Sequence, residues 1–304
     1  RLQKEFFEQN KTLDDSIAPF RELTSGAVDT LLRISMRRSE RWRKMKYDLK
    51  KDNEEIENSF FEPVDMTIFS WGGDIDTIMT PLDSMKYYKS FFRPGMMSMD
   101  PTNGHIKTWV GGMNYRHFQY DMVKKGKRQI GSTFKPFVYA AAIDQLKLSP
   151  CDTFPDSQFC IEKNKFGNIE QWCPKNSGDK YGRTRTLKNA LANSVNTVTA
   201  RLMDRIGPQT VVKLAKDLGI EQRILPVPSI ALGTPDLSVY EMVAAYSTFA
   251  NKGVYTQPVF VEKIEDKNGT TLFEHQPVTK DVLSEEAAYV TVNLLEGVTM
   301  AGSG

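Results

Sequence analysis

Ser132 and Lys135 stand three residues apart in "IGSTFKPF", with Gly131 before the serine and Pro136 after the lysine. Proline is accepted in an α-helix only in its first turn, where its missing N–H has no partner to lose. The helix must therefore begin within about four residues before Pro136, which puts Ser132 at or beside the N-cap. A helix start carries partial positive charge, so lysine is electrostatically the wrong residue there. A local rule broken without structural gain points to function. Residues three apart share a helical face, so the Lys135 ammonium can reach the Ser132 hydroxyl. The positive helix end and desolvation by the apolar segment that follows both lower a lysine pKa. A lysine made neutral in this way is a general base that turns a hydroxyl into a nucleophile. The helix end can also stabilise negative charge developing beside the serine, and Gly131 permits close approach of a substrate to the backbone. The ordinary alternative is a capping serine followed by a surface lysine.

A second constellation, "ANSVN", lies downstream, with Ser194 and Asn196 separated by one residue between two helical segments. In an extended loop alternate side chains point the same way, so a hydroxyl and a carboxamide would face one site together. The hydroxyl can relay a proton between lysine and leaving group, and the carboxamide can hold a substrate peptide group. The ordinary alternative is polar capping of a helix starting at Thr197. Other chemistries lack support. His105, His117 and His275 are scattered, and no H-E-x-x-H, G-x-S-x-G, G-x-G-x-x-G or G-x-x-x-x-G-K-[ST] occurs. Cys151, Cys160 and Cys173 lack the paired C-x2-C spacing of a zinc site. A net charge of +2 with 26% charged residues describes an ordinary globular chain and gives no mandate for nucleic acid. No run approaches the roughly 18 apolar residues of a membrane span.

The elements that must position these residues are legible by pattern. "MMSMD" and "HIKTWVGG" bracket "PTNG", whose Asn-Gly is a hairpin signal. Phe137 to Leu146 is almost entirely apolar and predicts a buried helix. Val211, Leu214, Ala215 and Leu218 mark one helical face, closed by Gly219. Ser238 with Glu241 forms a capping box for a helix reaching Phe249. "VFVEKIEDKNGTTLFE" predicts a second hairpin, and Ser284 to Glu296 another helix. Upstream, Arg33 to Lys51 carries nine basic and two acidic residues, which predicts a helix with a solvated basic face; contact with anionic phospholipid or glycan phosphate is the sharper alternative. Phe61 to Arg93 reads as a connector with short strands around Gly72-Gly73 and a helical "LDSMKYYKSFF". Strands, a helical block and further strands predict an α+β domain with a largely antiparallel sheet.

"RQIGSTFKPFVYAAAI", "ANSVNTVTARL" and "ALGTPDLSVYEMVAAYSTFANKGV" resemble the transpeptidase domain of class A penicillin-binding proteins, the bifunctional peptidoglycan synthases. "MSMDPTNGHIKTWVGG" is similar to the strand pair that opens that domain. The resemblance implies the penicillin-recognising serine transferase fold, an antiparallel sheet with helices. It implies Ser132 as acylated nucleophile, Lys135 as its base, Ser194 as proton relay and Asn196 as substrate contact. Residues 1–94 are expected as an interdomain linker region, charged and partly helical. Residues 95–304 are expected as the transpeptidase domain, C-terminally incomplete because the chain stops before the family's K-T-G strand. A chain that opens on Arg1 and ends on "MAGSG" is expected to be a fragment, lacking the family's glycosyltransferase domain and membrane helix. The implied reaction is D,D-transpeptidation of stem peptides through an acyl-serine, with β-lactams trapping Ser132 and no cofactor. A serine β-lactamase or D,D-carboxypeptidase is the nearest alternative, and a non-catalytic β-lactam sensor or scaffold the more distant one. Implied partners are peptidoglycan stem peptides, β-lactams and other cell-wall synthesis proteins, at the periplasmic face of the cytoplasmic membrane. That compartment is oxidising, so Cys160 and Cys173 are expected to pair across a polar surface loop, with Cys151 free; Cys151 remains an alternative partner.

Overall fold

The computed structural model describes residues 24–302. The described residues up to Arg93 form one compact unit and those from Pro94 another.

The first unit opens with α1 (Ser25–Arg37), which buries Leu32 and Met36. The basic stretch does not continue as one helix. Ser39 accepts a hydrogen bond from the Trp42 N–H and starts α2 (Glu40–Arg43), which runs into a π-turn over Lys44–Asp48. Arg33 and Lys44 lie exposed and paired with acidic neighbours, Arg33 with Asp29 and Glu57, Lys44 with Glu40. After α3 (Asn53–Asn58), strands β1 (Val64–Ile68) and β2 (Ile75–Met79) pair antiparallel across the Gly72-Gly73 turn. Pro81 in the first turn and the Thr80 cap then start α4 (Pro81–Lys89).

In the second unit, β3 (Met96–Met99) and β4 (Ile106–Val110) form the hairpin around the Asn-Gly turn. At the centre stands α5 (Lys135–Leu146), buried continuously from Lys135 to Ile143. A helix apolar on every side has no solvent face and must be enclosed by others. It is enclosed by α7 (Asn196–Ile206), α8 (Pro208–Asp217) and α10 (Glu285–Ala301), while α6 (Leu187–Ala192) packs on α10. Phe137, Val138 and Ile143 lie at this junction, each side chain contributing about 1.5–3 kcal/mol by its removal from water. The Ser238–Glu241 capping box opens α9 (Val239–Ala250), with both reciprocal hydrogen bonds made. Gly219 follows α8 at φ +87, and a side chain there would strike the Tyr255 ring. The strands of the described residues come as six two-stranded pairs, all antiparallel, one in the first unit and five in the second. The architecture is α+β.

Cys160 and Cys173 are joined by a disulfide, and Cys151 is free and exposed. The enclosed loop is less purely polar than its sequence suggests. Ile161 is buried in the main core, Phe166 and Trp172 pack against that core, and the backbones of Ile161 and Trp172 exchange two hydrogen bonds. Isolated apolar residues in a polar run carry no periodicity, so their burial was invisible in the pattern. Replacing both cysteines by serine is expected to lower stability by about 3 kcal/mol, the value for a closed loop of this size. Urea denaturation of the variant beside the parent measures it; an unchanged midpoint would mean the bridge adds nothing.

Candidate active site

The Ser132 turn is held by backbone before any side chain acts. Strand β5 (Arg128–Gln129) pairs antiparallel with β6 (Asp236–Leu237). The bonding continues as Ile130 N–H donates to Pro235 O at 3.2 Å and Gly131 N–H to Gly233 O at 2.9 Å. At Gly233, with φ +74, a Cβ would stand 1.7 Å from the Gly131 carbonyl oxygen. Only glycine allows that approach. Gly131 also sits at positive φ, +56, but a Cβ there would meet nothing within 4 Å. Its glycine therefore answers a backbone conformation, and the tight approach belongs to Gly233.

The helix begins at the late end of the range that Pro136 allows. Gly131–Phe134 is a 3-10 turn, and α5 starts at Lys135 without a side-chain cap. Ser132 is thus not an N-cap. Its carbonyl accepts the Lys135 N–H, and in a 3-10 turn side chains at i and i+3 eclipse, so Ser132 and Lys135 are aligned along the turn. The turn is steadied by the Tyr246 hydroxyl of α9, which donates to Thr133 O at 2.6 Å. Ser132 is exposed, and among the described residues no hydrogen bond engages its hydroxyl.

Lys135, by contrast, is 1% exposed. Its ammonium donates to Ser194 O at 2.6 Å, Ser194 Oγ at 2.9 Å and Asn196 Oδ1 at 2.6 Å. All three N–H donors are used, and none points to Ser132. Burial pushes the lysine pKa down to about 8. The chain therefore gathers Lys135, Ser194 and Asn196 into one hydrogen-bonded group and leaves the Ser132 hydroxyl outside it.

The "SVN" segment reaches this geometry by a route other than an extended loop. Ser194 adopts the left-handed conformation at φ 51, uncommon for a residue with a Cβ and costing about 1–3 kcal/mol. Val195 is extended, and Asn196 opens α7. The αL residue closes α6, where Ser194 and Val195 N–H donate to Leu191 O and Ala190 O, and turns the serine toward Lys135. Asn196 Nδ2 donates to Lys175 O at 2.7 Å, which fixes the carboxamide with its oxygen toward the ammonium and leaves one N–H uncommitted.

Sequence patterns missed the supports of this group. Val195 precedes α7 and supplies no side-chain cap. The Asn196 and Thr197 N–H groups donate instead to Asn176 Oδ1, at 3.0 and 3.1 Å. Asn176 in turn is held by the buried Asp156. These residues lie 20 and 40 positions upstream of Asn196 in an irregular segment without a motif, so no local signal marked them. For Gly233 the signal was present in "ALGTPD" but had no assigned partner. Among the described residues no cluster of His, Cys, Asp and Glu could hold a metal ion, and no helix is long and apolar enough to cross a membrane.

Compared with known proteins, residues 94–304 match the family described as penicillin binding protein transpeptidase domain, and residues 15–92 that described as penicillin-binding protein middle domain. The chain is 34% identical over 210 residues to penicillin-binding protein 1A of Aquifex aeolicus, covering 68% of this chain and 28% of that protein. It is 31% identical over 194 residues to penicillin-binding protein 1A of Pseudomonas aeruginosa, covering 64% and 23%. The chain thus spans less than a third of the length of these relatives. The crystal structure of penicillin-binding protein 1A from Haemophilus influenzae superposes with a TM-score of 0.63 at 26% identity, covering 69% of this chain and 36% of that one.

Proposed function

Because the chain belongs to the penicillin-binding protein transpeptidase family, we propose that it performs peptidoglycan D,D-transpeptidation with Ser132 as the acylated nucleophile. One observation supports this reading above the others: a buried lysine of lowered pKa, held by Ser194 and Asn196, three residues after an exposed, unengaged serine.

Lys135 in its neutral form takes the Ser132 hydroxyl proton as the oxygen adds to the carbonyl between the last two D-alanines of a stem peptide. The positive end of α5 favours the negative charge that develops. Collapse breaks the C–N bond, and the departing amine receives its proton from Lys135 through the Ser194 hydroxyl. The acyl group is left as an ester on Ser132, and terminal D-alanine departs. An amine of a second stem attacks the ester, gives up a proton along the reverse path, and restores Ser132 with a new peptide bond. The uncommitted N–H of Asn196 donates to a substrate peptide carbonyl. β-Lactams follow the first half and stop at the ester. No cofactor enters this scheme. On the same reading the full-length protein works at the outer face of the cytoplasmic membrane, anchored there, with a glycosyltransferase domain supplying glycan strands.

The test is the fate of the acyl group. Full-length protein given a pentapeptide stem and a labelled amine acceptor is expected to release D-alanine and incorporate the label, as read by mass spectrometry. Tetrapeptide without label would make it a carboxypeptidase, rapid hydrolysis of penicillin a β-lactamase, and a stable penicillin adduct without peptide turnover a sensor.

A further inference from the structure

We propose that Asp156 and Asn176 are positioning residues that set Asn196, and through it Lys135, for acylation; this rests on the reading of Ser132 and Lys135 given above. The Asp156 carboxylate is fully buried and accepts four hydrogen bonds. Oδ1 takes the Asn176 Nδ2 donor at 2.7 Å and the Thr197 hydroxyl at 2.8 Å; Oδ2 takes Arg185 Nε at 2.6 Å and the Gly182 N–H at 3.0 Å. Burial alone would push its pKa up, but the bonds from Arg185, Thr197 and Asn176 outweigh that and hold it below the usual carboxylate range. A buried carboxylate with four donors is a fixed anchor, since moving it would leave several buried groups unpaired.

Asn176 reads that anchor on one side and α7 on the other. Its Nδ2 donates to Asp156 Oδ1 and to Lys180 O, and its Oδ1 accepts the first two N–H groups of α7. A flipped amide would set donors against donors on one side and an oxygen against two oxygens on the other, so the orientation is determined by its neighbours. The adjoining Lys175 carbonyl accepts Asn196 Nδ2. Asn196 is therefore gripped at its backbone N–H and its side chain by two consecutive residues. The segment bearing them leaves the Cys160–Cys173 loop through the buried Pro174. The grip leaves Asn196 Oδ1 at 2.6 Å from Lys135 Nζ, where it favours the charged form of the base and fixes its place. Small displacements of a positioned group are costly, up to about a hundredfold in rate for 1 Å.

Asn176→Ala in the full-length protein should slow acylation by a fluorescent penicillin about tenfold to a hundredfold. It should also shift the midpoint of the pH–acylation profile, which a merely structural residue would not move. Asn176→Asp should be worse, because two carboxylates would face each other. Combining it with Asp156→Asn should recover part of the rate and move the midpoint back toward the parental one, since one donor and one acceptor again face each other with their places exchanged, while Lys180 O loses its donor. Recovery by the double swap supports the proposal even if a single variant fails to fold. The proposal is overturned if Asn176→Ala acylates with parental rate and midpoint, or if the double swap acylates no faster than Asn176→Asp alone. Ser132→Ala serves as control: an adduct persisting there would mean that the acyl-serine reading itself is wrong, whatever Asn176 does.

Discussion

Ser132→Ala in the full-length protein is expected to take up no penicillin adduct, where the parent takes up one per chain and holds it. Loss should be complete because the reaction needs an oxygen that becomes bonded to the acyl carbon, and the exposed Ser132 hydroxyl is the group the turn presents for it. Ser194 is a poor substitute. Its hydroxyl accepts from Lys135 Nζ and its backbone is committed to the junction of α6 and α7. Removing a methylene-bound oxygen from an exposed turn should leave stability within about 0.5 kcal/mol of the parent, so unfolding cannot account for the result. Intact-protein mass spectrometry followed by peptide mapping decides it, and an adduct on any peptide lacking Ser132 would falsify the assignment.

Lys135→Arg separates charge from basicity. The guanidinium stays protonated at any accessible pH, so a role in proton abstraction predicts an acylation rate lower by about 10²–10⁴, the usual worth of a general base. Near-normal acylation by the arginine variant would show that positive charge suffices. The pH profile of the parent carries the same information. Burial puts the Lys135 pKa at about 8, and the base is the deprotonated form, so acylation should rise with pH, about tenfold per unit below 8, and level off above it. Lys135→Arg should abolish that rise. Stability follows the same group. Between about pH 8 and the ordinary lysine value of 10.5, the unfolded chain binds the proton that the folded chain has released. Stability therefore gains as pH rises through that window, by about 3 kcal/mol for this residue. Below pH 8 the folded protein bears the full cost of a buried ammonium.

The two motifs, the hairpins and most of the helices of the second unit could be read from short windows of sequence. Pro136 confines a helix start, Ser238 and Glu241 satisfy one another across a first turn, and an unbroken apolar run from Phe137 to Ile143 has to be interior. Each of these depends on residues within a few positions of one another, where sterics and helical periodicity act directly. Ser132, Lys135, Ser194 and Asn196 could be nominated on the same basis, because their residue types and spacings are local. Which of them touch could not. Lys135 turns its three donors to Ser194 and Asn196, and the spacing of S-x-x-K alone had suggested Ser132. The 3-10 turn, the αL conformation of Ser194, the closure of Gly233 on Gly131 and the cap that Asn176 gives to α7 depend on chain segments 20 to 100 residues apart. At those separations, partners are chosen by how the whole core packs around α5 and by the rule that buried polar groups must find hydrogen bonds. No window of sequence contains both halves of such a choice, so only the tertiary structure could make it.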